Sequence, residues 1–140
     1  MSTAIRPELS GKNQYWIPKH RYYELKHFCL QYPGWEKAYE ELDAFCKGTD
    51  NLPAAGNKTN EIIDPVGKCV EARSVYFERM QLLEKTAMDT DAYLSGYILR
   101  GVTAGVPYDV LKAKYDIPYS KDAYYEAYRK FFWLLDKAKL

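Results

Sequence analysis

Val66, Cys69, Val70, Tyr76, Phe77, Met80, Leu83 and Ala87 recur at helical spacing, in a stretch with no interior proline. At 3.6 residues per turn they fall on one side of a single helix of about six turns. A half-buried strand needs strict alternation, which this stretch lacks. Asp64 and Pro65 stand in front of it as an N-cap and a first-turn proline, where a missing N–H costs nothing. Such a helix exceeds the usual length of about 11–12 residues, so the remaining elements are expected to pack around it. Met80 and Met88 read as adaptable core filler.

The same period marks the other elements, and proline and glycine separate them. Tyr22, Leu25, Cys29 and Tyr32 share a face behind Pro18, and Pro33 halts that helix near Gln31. Pro33 also opens the next helix, whose stripe is Trp35, Ala38, Tyr39, Leu42, Phe45 and Cys46. With almost no linker between them, these two helices predict an N-terminal helical hairpin or a sharp corner. Residues 47–64 are rich in Gly, Asn, Asp and Pro and lose all period, as a loop does. Asp91–Arg100 places Leu94, Tyr97 and Ile98 on one face, and Gly101 and Gly105 bracket its end. Pro107 starts a short helix with Leu111 and Tyr115 inward, and Ser120 caps a last helix striped by Tyr124, Ala127, Tyr128, Phe131, Leu134 and Leu135. The expected fold is therefore all-α with about six helices. Residues 1–46 hold an arm and the helical hairpin, 47–64 a linker, and 65–140 the long helix with a three-helix lobe.

With 140 residues, 47% of them hydrophobic, the chain can bury one core or two small ones. A net charge of +1 excludes an indiscriminate nucleic-acid coat but leaves room for a local basic face. Fourteen tyrosines suit core rims and binding surfaces, because a phenol joins an apolar body to a polar tip. Three cysteines without a CxxC pair argue against a disulfide framework and for a reducing compartment. No apolar run resembles a signal peptide or reaches the ~18 residues of a membrane helix. The expectation is a cytoplasmic protein with no membrane partner.

Catalytic signals are weak. His20 and His27 lie seven apart with Cys29 nearby, yet no second cluster of ligands completes a metal site. Nucleophile elbows, phosphate loops and HExxH are all missing. Neither an enzyme nor a cofactor or metal is expected.

The stretch Gly105–Leu135 carries the strongest motif: a short helix, a turn with Ile117 as its apolar plug, and a longer helix. With the preceding helix it makes a three-helix unit of the helix-turn-helix type. In such a unit two helices brace the third, whose N-terminal residues enter a major groove. Ser120, Lys121, Tyr125, Arg129 and Lys130 are the candidate reading residues, and Lys112 and Lys114 on the short helix are candidates for phosphate.

Gly105-Val106-Pro107-Tyr108, Leu111, Ile117 and the ending Tyr128–Leu135 resemble the C-terminal part of small phage and mobile-element regulators. Those proteins are similar to region 4 of sigma-70 factors and to the RinA and ArpU late-gene activators. The resemblance covers about a third of the chain. It implies a last helix that reads double-stranded DNA through Lys121, Tyr125, Arg129 and Lys130. The sequence departs from that pattern at Asp116, where such turns carry Gly, at Lys112, where a small residue is usual, and in a turn one or two residues longer.

Charge divides along the chain. Residues 1–32 hold five basic and two acidic groups, 33–106 eight and twelve, and 107–140 seven and five. Both ends can therefore face a nucleic acid. Phe132 and Trp133 widen the apolar face of the last helix, which calls for the N-terminal helices or a second subunit of a homodimer to cover it. Small size, neutral charge and abundant Tyr also fit a phage anti-defence protein of the anti-CRISPR type that binds a host nuclease complex. A small terminase subunit that packages DNA is a further alternative.

Overall fold

In the computed structural model, residues 13–50 and 65–139 are described. They form six helices: α1 (Lys19–Leu30), α2 (Tyr32–Asp50), α3 (Pro65–Thr90), α4 (Ser95–Ala104), α5 (Tyr108–Tyr115) and α6 (Lys121–Ala138). Among the described residues there is no strand, as the unbroken 3.6-residue period requires. The punctuation acts where the chemistry places it. Pro33 sits in the first turn of α2, Pro107 precedes α5, and Gly105 ends α4 in the left-handed region at φ 68°. Asp91 accepts the N–H groups of Tyr93 and Leu94 through Oδ1, turning the chain from α3 into α4. Helix α2 runs to Asp50, four residues into the stretch expected to be loop. Residues 51–64, including the expected cap Asp64, lie outside the described residues.

The chain divides into two compact units. One combines the segment up to Pro33 with the segment from Gln81 onward; the other is Gly34–Met80. In the first unit α6 is in contact with both α1 and α4, and α4 also meets α1 and α5. Tyr22, Leu25 and Cys29 of α1, Ile98 of α4, and Phe131, Phe132 and Leu135 of α6 are fully buried. Burying a side chain of this size contributes roughly 1.5–3 kcal/mol. Leu83 and Ala87 of α3, Leu94, Leu111 and Ile117 close the same core. Burial pushes the Cys29 thiol far above its usual range, so it is a core filler and not a nucleophile.

Two polar links fix α1 on α6. The Tyr22 and Tyr128 hydroxyls share a buried hydrogen bond of 2.9 Å. Arg21 donates from Nε to Asp136 Oδ1 at 2.6 Å and from Nη2 to the carbonyls of Asp136 and Lys139, satisfying acceptors at the end of α6. The hydroxyl pair keeps two buried polar groups from standing unsatisfied, at a cost avoided of about 1–3 kcal/mol each.

The second unit is a two-helix hairpin of α2 and α3, so α1 is a member of the α4–α6 core and not of the hairpin. Cys46 and Cys69 form a disulfide with Cα atoms 5.9 Å apart. This corrects the expectation from the cysteine count. The partners are 23 residues apart and belong to no motif; antiparallel pairing alone brings them together. Along the same seam Arg73 Nη1 meets Asp43 Oδ1 at 2.8 Å, Tyr39 and Phe77 rings lie 5.9 Å apart, and Arg79 lies over Trp35. Two helices cover only a narrow strip, which leaves Phe45, Val70, Val75 and Phe77 exposed although three of them belong to the apolar stripes. Met88 and Tyr115, expected inside, are also exposed in the first unit. Tyr115 is held instead by Arg100, whose guanidinium stacks 4.1 Å from the ring centre.

Candidate nucleic-acid interface

The unit α4–turn–α5–turn–α6 has the element order of a helix-turn-helix. Its second turn is set by Asp116, which adopts φ 49° and ψ 51°. It is the only non-glycine residue with positive φ among the described residues. That conformation is what a turn glycine would supply, and Asp tolerates it better than most residues. The backbone is thus that of a glycine turn written with another residue. Ile117 follows as a fully buried plug.

Lys112 explains its own presence. Its Nζ donates to the Ile117 carbonyl at 3.4 Å and lies 3.7 Å from Asp116 Oδ1. A small residue could not brace the turn in this way. Tyr108 closes it from the other side, its hydroxyl donating to the Tyr119 carbonyl at 2.7 Å. Ser120 then caps α6, Oγ accepting the N–H of Ala123 at 3.2 Å, with Asp122 in the first turn where the helix dipole favours a carboxylate.

The expected reading residues separate into two groups. Lys114, Ser120 and Lys121 are exposed, and Lys130 is half-buried on the outer side of α6. Arg129 is tied back, its side chain 18% exposed and Nη1 3.4 Å from Glu126 Oε1. Tyr125 is not on the surface: it is 3% exposed, edge-on to Tyr124 and Tyr128, and its hydroxyl accepts the Tyr108 N–H. It therefore cannot contact a base. The reason lies in the breadth of the buried face, since Tyr124, Tyr125, Tyr128, Phe131, Phe132 and Leu135 are all inside. Helix α1 covers one flank of α6 and α4 another, so no second subunit is needed to cover this aromatic surface.

Asp122, Ala123 and Glu126, which are not among the expected reading residues, are exposed beside Lys121 on the first two turns of α6. The signal for them is present, because a cap at Ser120 and a buried Tyr124 fix the outward direction of the helix. Chemically they span the major-groove code: a cation suits guanine, a carboxylate accepts from cytosine N4, and a methyl group meets thymine. The exposed charges from α5 through this turn are Asp109, Lys112, Lys114, Asp116, Lys121 and Asp122, three of each sign. The exposed charge of this face therefore cancels.

The unit is held together by close approach. An ideal Cβ on Gly101 of α4 would overlap the Tyr124 hydroxyl oxygen, well inside the 3.0 Å that real Cβ atoms keep. That hydroxyl is buried with no hydrogen-bond partner, and burial pushes its pKa above the usual tyrosine value. No helix among the described residues is long and apolar enough to cross a membrane. Comparison with known proteins gives no matching family model, no curated relative and no similar solved structure.

Proposed function

We propose that this chain is a DNA-binding transcriptional regulator of the phage type, acting in the cytoplasm without enzymatic activity. One observation carries the reading: the left-handed Asp116, the Ile117 plug and the Ser120 cap together turn the start of α6 outward. A major groove admits one α-helix, and base edges are read from its N-terminal turns. Lys121, Asp122, Ala123 and Glu126 are the readers, with Lys114 and Lys130 placed for phosphates. Lys112 braces the turn from outside, and Tyr125 and Arg129 support the unit from their buried or tied-back positions. A reducing cytosol would open the Cys46–Cys69 disulfide, and the freed Cys69 thiol would have an acceptor in the Leu42 carbonyl, 3.1 Å from its Sγ.

The test is selection of duplex sites from a random pool, followed by fluorescence anisotropy on the enriched site. Lys121→Ala and Glu126→Ala should each cost about 1–3 kcal/mol on that site and relax its sequence preference. No enrichment, or equal affinity in both variants, would remove the reading. A second reading rests on exposed Phe45, Val70, Val75 and Phe77 of the hairpin. Apolar side chains of this kind anchor protein partners, as an anti-defence protein acting on a host nuclease complex would require.

A further inference from the structure

The inner face of α1 is sealed. Tyr22, Leu25 and Cys29 have no exposure at all. Its outer face is basic along its whole length: Lys19 is exposed and Lys26 half-exposed, with Tyr23 between them and exposed His20 and His27 alongside. Seven residues separate Lys19 from Lys26 and His20 from His27. Each pair is thus about 10 Å apart along the axis and within about 20° of the same direction. The one carboxylate of the helix, Glu24, is held by Arg21 Nη1 at 2.6 Å. Lys19 and Lys26 enter no ion pair among the described residues; Lys26 leans over the Tyr23 ring, 5.9 Å from its centre.

This is the charge that the turn region lacks. Three lysines and three aspartates cancel from α5 to the first turn of α6, so base selectivity there comes with little net attraction to the backbone beyond Lys114 and Lys130. Phosphate neutralisation supplies most non-specific affinity for duplex DNA, and lysine, tyrosine and histidine side chains can all serve it. A grip is useful only if it is rigidly related to the reading helix. The Tyr22–Tyr128 hydroxyl bond and the Arg21–Asp136 pair provide that relation.

We propose that the outer face of α1 is a second DNA contact, a phosphate-backbone grip centred on Lys19, Tyr23 and Lys26. The proposal rests on the DNA-binding reading of α6 but assigns a different helix and a different chemistry. The grip is indifferent to sequence, whereas α6 discriminates.

The test uses the full chain and a labelled mixed-sequence duplex, with anisotropy measured between about 50 and 200 mM salt. Lys19→Ala/Lys26→Ala should lower the slope of log affinity against log salt by about 2, since each neutralised phosphate contributes about 0.9. Affinity at ~0.15 M salt should fall about 10- to 30-fold, equally on selected and unselected duplexes. Lys37→Ala/Lys68→Ala removes the same charge from the hairpin and should leave the slope unchanged. Lys19→Arg/Lys26→Arg should retain it. An unchanged slope in the α1 variant, or an equal drop in the hairpin variant, overturns the proposal. Failure of the α6 reading looks different: Lys121→Ala and Glu126→Ala would leave sequence preference intact while the α1 variant still lost affinity. No duplex binding by the wild-type chain at the lowest salt overturns both.

Discussion

Replacing Gly101 with alanine sets two known effects against each other. In an open helix the change gains about 1 kcal/mol, because glycine is that much the poorer helix former. At position 101 the new methyl group would overlap the Tyr124 hydroxyl oxygen and lie 3.4 Å from Tyr124 Cζ and from the Val106 carbonyl. Tyr124 is 1% exposed and ringed by Tyr108, Tyr125 and Tyr128, so its phenol has nowhere to move. Overpacking of this kind costs about 1–3 kcal/mol, and the contact here is severe enough to outweigh the helix gain. Gly101→Ala should therefore lose about 2 kcal/mol in urea unfolding followed by far-UV circular dichroism. Tyr124→Phe removes a buried hydroxyl that has no partner and should gain up to about 1 kcal/mol. In the Tyr124→Phe background the nearest atoms to the new methyl group are those at 3.4 Å, an ordinary if tight contact. Alanine at 101 should then be neutral or stabilising, which makes the coupling about 2–3 kcal/mol. A stabilising single Gly101→Ala, or the same cost in both backgrounds, would refute the close approach of α4 and α6.

Asp116→Gly should stabilise by up to about 1 kcal/mol and Asp116→Ala should destabilise, because only the left-handed conformation separates them; chemical denaturation that ranked alanine first would contradict the turn. Reducing the Cys46–Cys69 disulfide, or changing both residues to serine, should lower the hairpin's stability by about 3 kcal/mol for a loop of this length. Hydrogen exchange of residues 34–50 and 67–80, with and without reductant, would show it. Burial, aided by neighbouring Tyr125, raises the Tyr124 pKa above 10.0; burial, aided by Tyr22, raises that of Tyr128. The raised folded-state values mean that this stability is intact below pH 10 and is lost as pH climbs above it. Unfolding midpoints should fall from about pH 10 upward in the wild type and fall less in Tyr124→Phe.

The sequence was most informative where one residue determines one local event. Pro33, Pro107, Gly105 and Ser120 each act as their chemistry requires, and the inner residues Tyr22, Leu25, Leu111, Ile117, Tyr124 and Phe131 are inside. It was least informative about which helix meets which. A stripe on α1 shows that something covers Tyr22 but not that Tyr128 does, 106 residues away. Tyr125 illustrates the same limit. Its place on the flank of the α6 stripe allows either solvent or a neighbour, and the neighbouring Tyr108 backbone decides. The disulfide was hidden for a related reason, since cysteine spacing carries a signal only within a motif. Asp116 ran the other way: a departure in sequence from the glycine of similar turns is no departure in backbone.

The attachment of α1 to α6 also orders events in time. Its hydroxyl bond and its Arg21–Asp136 pair span 106 and 115 residues, so these two links cannot form until the last helix has been made. Closing so long a loop in an unstructured chain is slow and entropically unfavourable. The hairpin, however, is built from the intervening residues alone. Once it has formed, Tyr32 and Glu84 can meet through their 2.5 Å hydrogen bond, and the distance between α1 and its destination becomes short along the remaining free chain. The Gly34–Met80 hairpin is in this sense a shortcut in the folding route, one that brings the two chain segments that carry α1 and α6 within reach of each other.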